Sequence, residues 1–145
     1  MIIAEIGVDM GRFPTAGHLV SWARFAPGVK ESAGKKKGKA TTGHGNPYLA
    51  RVLGEAAAAA GRTNTFLGER HRRIARRRGT KKDIVAVGRS ILVIIWHLLS
   101  DPAARFSDLG PDWHDRIAPL RRKRQLIAEL ERLSGKKVLL QDAAA

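Results

Sequence analysis

The chain has 145 residues, which is enough for one domain with a modest core and too few for two independent ones. Its 27 Lys and Arg residues outnumber 13 Asp and Glu residues, so the formal net charge is +14 and the expected partner is polyanionic. The sequence has no cysteine, which excludes disulfides, thiolate metal sites and cysteine nucleophiles. Nucleic acid is therefore the leading partner class.

The first predicted element is a short helix that leads into a glycine-rich segment. Apolar residues recur at three- and four-residue spacing after Thr15, and Pro27 and Gly28 break the pattern, so this helix is predicted to end near Phe25. Residues 28–45 have little periodicity and repeat glycine and lysine. This composition predicts a long basic loop between helices, with short strand pieces around a turn.

Two helices are predicted after the loop. Asn46 and Pro47 have the order of an N-cap and a first helical proline, and the alanine run that follows is predicted to end at Gly61. A second helix is predicted over residues 65–78, with arginines around most of its circumference, and it ends at Gly79.

The next predicted helix covers residues 84–99 and is apolar nearly all round, which is typical of the centre of a core. Thr80 and Asp83 have the spacing of a capping box in front of it. Its most apolar run, residues 91–99, is about half the length that a membrane span requires. No membrane partner is therefore predicted.

Residues 112–134 are predicted to form a polar helix that is interrupted at Pro119, with an inward-facing stripe of Leu120, Ile127, Leu130 and Leu133. The predicted fold is mainly α, a compact helical domain with a long Gly/Lys-rich basic loop. The predicted organisation is a single domain over residues 1–145, with the basic loop at 28–45 and a polar helical extension at 112–145.

Two concentrations of positive charge are the candidate nucleic-acid contacts, because Lys and Arg side chains neutralise backbone phosphates. The first lies in and beside the loop, and the second on and after the arginine-rich helix; both could instead be merely solvated surface. The residues are Lys30, Lys35, Lys36, Lys37, Lys39 and Arg51 in the first, and Arg70, Arg72, Arg73, Arg76, Arg77, Arg78, Lys81 and Lys82 in the second.

Acidic residues are scattered along the chain and form no visible metal-binding quartet, which two-metal phosphoryl transfer requires. No GxxxxGK[ST] motif is present, so a nucleotide-binding P-loop is not predicted. Ser32 is the one serine in the basic loop, and His44 is the one nearby candidate proton acceptor. No cofactor is predicted in this chain.

An ordered series of segments resembles the C-terminal transposase domain of the bridge-RNA-guided insertion-sequence transposases, relatives of the Piv and MooV DNA invertases. The segments are AEIG, RFPTAGHLVSWA, the PGxxES segment, GNPYLAR and RRRGTKKDIVAVGRSILVIIWHLL, and they run in the expected order through most of the chain.

The resemblance implies a recombinase with two catalytic halves. One is a RuvC-like domain that carries a DEDD acidic quartet and Mg²⁺, in cis or in trans. The other carries a serine that attacks the DNA phosphodiester, which corresponds to Ser32 here. It further implies DNA and a structured non-coding guide RNA as partners, a homo-oligomer, and a cytoplasmic, nucleoid-associated location in a bacterium.

Two departures from the family pattern accompany the resemblance. The chain starts inside the AEIG helix, without the IPGIG-type turn and the RuvC-like half, so an N-terminally truncated form that is inactive alone is expected. Ala33 stands where a glycine usually follows the serine, which restricts the backbone there. A non-catalytic basic module that binds DNA or RNA, or a decayed transposase remnant, remains the alternative.

Overall fold

The fold is known from a computed structural model, which describes residues 2–26, 31–32, 35–36 and 44–139. Seven α-helices, one 3-10 helix and one two-stranded ribbon make up these residues, so the predicted mainly α fold is confirmed. The elements are α1 (Ile2–Ile6), the 3-10 helix (Met10–Arg12), α2 (Ala16–Trp22), β1 (Glu31–Ser32), β2 (Lys35–Lys36), α3 (Pro47–Ala60), α4 (Phe66–Arg78), α5 (Thr80–Ser100), α6 (Trp113–Ile117) and α7 (Pro119–Ser134).

Helices α3 and α4 begin at the residues that the sequence predicts. The Oδ1 atom of Asn46 accepts hydrogen bonds from the amides of Tyr48 (2.9 Å) and Leu49 (3.1 Å), with proline at the first helical position. Thr65 caps α4 in the same way, because its hydroxyl accepts from the amide of Gly68 at 3.2 Å. Both caps satisfy amides that have no partner within their own helix.

The predicted capping box before α5 is wrong. Gly79, with φ of 83°, is the N-cap of α5, and Thr80 is already the first residue of the helix. Glycine adopts this left-handed conformation without steric cost, so the chain passes from α4 to α5 through one residue. Asp83 then points into the core beside His71 and does not return to the helix terminus.

Helix α5 is the centre of the core, as its all-round apolar character predicts. It packs against α2, α3 and α4, and the indole nitrogen of Trp96 donates to the carbonyl of Phe13 at 2.9 Å. Its own fully buried side chains are those of Asp83, Val87 and Leu92, and the other elements contribute Ile6, Leu19, Val20, Leu49 and Leu53. Within the described chain, α5 is the one helix with the length and composition of a membrane span, features that the core helix of a soluble protein shares.

The chain divides into two compact units, Met1–Pro111 and Asp112–Ala145. In the second unit, ion pairs join Arg116 to Asp112 (3.1 Å) and Arg122 to Asp115 (3.6 Å). The predicted inward stripe of α7 is wrong for its leucines: Leu120, Leu130 and Leu133 are 73%, 54% and 71% exposed. The three- and four-residue spacing of these leucines predicted the helix correctly. No described element of this unit packs over their side chains.

Candidate nucleic-acid interface and serine loop

Both ends of the basic loop are fixed to the helical core. Phe25, at the entry, is buried and packs so closely on Gly88 of α5 that a Cβ at Gly88 would lie 2.6 Å from its Cε1 atom. At the exit, a Cβ on Gly45 would lie 3.0 Å from the carbonyl oxygen of Ala23. The entry and exit of the loop therefore meet at a closed base, which requires glycine at two positions.

The loop base contains an uncommon backbone conformation and a partly buried polar contact. Arg24 has φ of 60°, and among the described residues it alone adopts a positive φ without being glycine. Such a conformation is uncommon for a residue with a Cβ and persists where surrounding contacts hold it. On the exit side, the Nδ2 atom of Asn46 donates to the Oε2 atom of Glu5, which joins the cap of α3 to α1.

Ser32 lies in a paired backbone segment. Strands β1 and β2 are antiparallel, with Ser32 opposite Lys35 and Glu31 opposite Lys36. The ribbon provides Ser32 with a regular backbone, in a segment where the sequence predicted a loop with short strand pieces around a turn. The predicted contacts Lys30, Lys37 and Lys39 lie outside the described residues, as does most of the 28–45 loop.

Among the predicted nucleic-acid contacts, Arg72 and Arg51 make contacts within the protein. Arg72 donates to the carbonyls of Gly61 (3.3 Å) and Thr63 (3.0 Å) and pairs with Glu69. It thereby braces the turn between α3 and α4. Arg51 is exposed and pairs with Glu55 one turn later on α3, at 2.9 Å. His44 is exposed at the loop exit.

The corner between α4 and α5 is densely basic and open to solvent. Five residues on the two sides of Gly79 are exposed, namely Arg76, Arg77, Arg78, Lys81 and Lys82. Because the helices meet through one residue, the fold gathers these charges at one place on the surface. Exposed guanidinium and ammonium groups at this density suit contacts to a sugar-phosphate backbone.

Arg70 on α4 is a partly buried arginine in a basic environment. Burial lowers the pKa of Arg70, and the positive charges of Arg73 and Arg89 lower it further. The Nε atom of Arg70 is buried and has no hydrogen-bond partner among the described atoms. Sequence reasoning found Arg70 and Arg73 but missed Arg89, whose only signal is a single charge on an otherwise apolar stretch of α5.

A buried contact between a carboxyl group and a histidine ring also joins α4 to α5. The Oδ2 atom of Asp83 contacts the Nδ1 atom of His71, and Asp83 is completely buried. Burial raises the pKa of Asp83, and the contact with His71 opposes part of that rise. The ring of His71 also fills the space above Gly61, where a Cβ would lie 2.3 Å from its Cδ2 atom. Sequence reasoning treated Asp83 only as a capping residue.

The described part of the chain contains no group of three or more His, Cys, Asp or Glu side chains that could hold a metal ion. Its residues do not fit a two-metal centre, which needs converging carboxylates. The described residues here supply a serine in a paired strand, two loop ends anchored to the helical core, and many cationic groups.

The sequence model of one protein family, described as Transposase IS116/IS110/IS902 family, matches residues 1–72. No curated protein and no solved structure matches the chain. The matched segment includes the loop base, Ser32 and the first turns of α4. This match supports a transposase function for the protein in general terms.

Proposed function

We propose that the chain is the serine-bearing part of a DNA transposase, with Ser32 as the nucleophile of strand exchange. The observation that carries the proposal is the match of residues 1–72 to the insertion-sequence transposase family, a segment that contains Ser32. The closed base of the loop supports it, because a nucleophile needs a fixed scaffold to reach one phosphorus atom.

In the proposed step the Oγ atom of Ser32 forms a bond to a DNA phosphorus. One P–O bond to deoxyribose breaks, the hydroxyl proton passes to a base, and the departing deoxyribose oxygen takes up a proton. The DNA stays attached through a phosphoserine diester. A free deoxyribose hydroxyl from another strand reverses the step, restores the serine and reseals the backbone without an outside energy source.

The partners of this step are proposed from the resemblance and from the charge of the chain. DNA and a structured guide RNA would bind the basic surfaces, and a RuvC-like domain with its Mg²⁺ would act in cis or in trans. The described residues cannot hold that metal, so this chain alone is expected to bind nucleic acid and not to recombine it. Such partners imply an oligomer in the cytoplasm, associated with the nucleoid.

The test compares two serine variants in the assembled system of chain, RuvC-like domain, guide RNA, donor and target. Ser32→Ala should abolish strand exchange and the covalent protein–DNA adduct that denaturing gels detect, while DNA binding stays unchanged. Ser21→Ala is the matched control, because Ser21 is exposed on α2 within the same matched segment. Strand exchange by Ser32→Ala at the normal rate would contradict the catalytic role.

The alternative is a non-catalytic basic module that binds DNA or RNA, or a remnant that has kept only this property. The exposed basic corner around Gly79 favours it, since binding needs no serine. Under this alternative, replacing Arg76, Arg77 and Arg78 by Gln removes nucleic-acid binding, and no covalent adduct forms under any condition.

A further inference from the structure

Helix α7 (Pro119–Ser134) carries a row of leucines that is open to solvent. Leu126, Leu130 and Leu133 are spaced by four and three residues, so they lie along one side of the helix. All three side chains are exposed. The unit that contains them, Asp112–Ala145, is shorter than the roughly 40 residues that a chain needs to build a core alone. This leucine row is therefore suited to contact with another molecule.

The charged residues beside the leucine row change sign along α7. Residues 121–124 are all basic, and the two carboxylates of the helix, Glu129 and Glu131, lie in its second half. Residues seven or eight positions apart return to the same side of a helix. Arg122 and Glu129 thus lie on one side of the leucine row. Lys123 and Glu131 lie on its other side.

These four charges are weakly engaged within the chain. Arg122 pairs with Asp115 at 3.6 Å, and both side chains are about half exposed. Glu131 accepts a hydrogen bond from the amide of Val138 at 3.2 Å. Lys123 and Glu129 are exposed and make no hydrogen bond or ion pair with the described residues. Exposed pairs of this kind contribute little to stability, so these charges are available to a partner.

The order of charges along α7 is opposite to the order that stabilises a single helix. The N-terminal end of a helix carries a partial positive charge, which favours acidic residues there. The first turn of α7 has no acidic residue, and its N-cap, Ala118, makes no side-chain hydrogen bond. A partner that brings negative charge to the first half of α7 would offset this arrangement.

A second copy of α7 in the opposite direction brings such charge. When two α7 helices overlap over their full length in antiparallel orientation, residues 121–124 of one lie opposite residues 129–132 of the other. A twofold axis relates the copies, so the same side of each helix meets. Arg122 then lies near Glu129 of the second copy. Lys123 likewise lies near Glu131 of the second copy, whereas a parallel pair would join the two basic segments.

We propose that α7 binds a second copy of this chain in antiparallel orientation, through the leucine row and these charge pairs. This contact requires neither Ser32 nor nucleic acid, so it goes beyond the proposed function. A helix of 16 residues is about 24 Å long, so the interface is small and we expect a Kd on the order of tens of micromolar. At low micromolar concentration the chain is then monomeric, and the leucine row stays exposed.

The first experiment measures the mass of the complete chain by sedimentation equilibrium over about 1–200 μM, without nucleic acid. The mass should rise from one chain toward two. Leu130→Glu should remove this rise, because it places a charge within the leucine row. Val8→Glu is the matched control, since Val8 is an exposed apolar residue of the first unit, and it should dimerise as the original chain does. Circular dichroism checks that both variants keep their helix content.

The second experiment tests the orientation of the pair. Glu129→Lys should weaken dimerisation about tenfold, because it places like charges together at two symmetric contacts. Addition of Arg122→Glu to this variant should restore dimerisation, since opposite charges meet again. In a parallel pair, residues of equal number face each other, and the double variant would bring no recovery. That result would overturn the antiparallel arrangement.

Three results would overturn the contact itself. One is a chain that remains a monomer at about 200 μM. Another is a dimer that Leu130→Glu leaves intact, because a different surface then joins the copies. The third is a monomer that binds anionic lipid vesicles through Leu130, since the leucine row would then contact a lipid surface. All three leave the Ser32→Ala test unaffected, because that test detects a covalent adduct with DNA.

Discussion

Helix α5 in the first unit and helix α7 in the second both have apolar residues at helical spacing, yet their surroundings differ. Leu92 of α5 is fully buried, and α2, α3 and α4 pack around that helix. Leu130 of α7 is 54% exposed. The spacing of the apolar residues thus predicts a helix in both cases. Whether those residues are buried depends on the elements that pack against the helix.

The largest expected effect tests this comparison directly. Leu92→Ala should lower the free energy of unfolding by about 2–5 kcal/mol, because it leaves a cavity where α5 meets the other helices. Leu130→Ala should change it by less than about 0.5 kcal/mol, as an exposed position allows. Chemical denaturation followed by circular dichroism measures both. Equal losses would mean that the stripe of α7 is buried in solution.

The next effect concerns the contact that anchors the serine loop to α5. Gly88→Ala should cost about 1–3 kcal/mol, because its Cβ would lie 2.6 Å from Cε1 of Phe25. Gly54→Ala is the control, since its Cβ would lie 3.8 Å from Ile84 and should stabilise α3 by up to about 1 kcal/mol. A smaller side chain in Phe25→Leu should restore part of the loss in Gly88→Ala. Destabilisation by both alanine variants alike would contradict the close packing.

A third prediction compares the pH dependence of stability at the buried carboxylate of Asp83, in the first unit, with that at exposed carboxylates in the second unit. Burial raises the pKa of Asp83 above its ordinary value of 3.8, so the folded chain binds this proton more readily than the unfolded chain does. The contribution of Asp83 to stability is therefore most favourable below pH 3.8 and is lost as pH rises through the raised pKa.

Asp83→Asn removes this dependence, and its stability relative to the original chain should improve as pH rises, by at most about 1.4 kcal/mol per pH unit. Glu129→Gln, at an exposed carboxylate on α7, should show no such trend. Urea denaturation at a series of pH values measures the difference. A difference that does not vary with pH would show that the carboxylate of Asp83 is not desolvated.

The smallest effect concerns the cap at the exit of the loop. Asn46→Ala should cost about 1 kcal/mol, because the amides of Tyr48 and Leu49 lose their acceptor and Glu5 loses its donor. Asn46→Asp separates the two roles, since a carboxylate still caps α3 but cannot donate to Glu5. If Asn46→Asp is as stable as the original chain, the link to α1 contributes little.

Part of the candidate site could be predicted from the sequence. Gly and Lys repeats marked the basic loop, and the arginine run marked α4, since these signals depend only on local composition. Arg89 and the pair of His71 and Asp83 were not found, because they depend on which faces of α4 and α5 meet. The engagement of Arg72 with the turn before α4 is likewise a tertiary contact that charge counting does not reveal.

By itself, the sequence determined that these segments are helical and where α3 and α4 begin and end. Caps such as Asn46 and Thr65, and glycines such as Gly61 and Gly79, act within a few residues, so their effect follows from local order along the chain. Only the tertiary structure decided which apolar stripe is buried, where the two ends of the serine loop meet, and that the Nε group of Arg70 is buried. Burial and electrostatic contact depend on residues far apart in the chain, and the way in which α5 packs against its neighbours sets those distances.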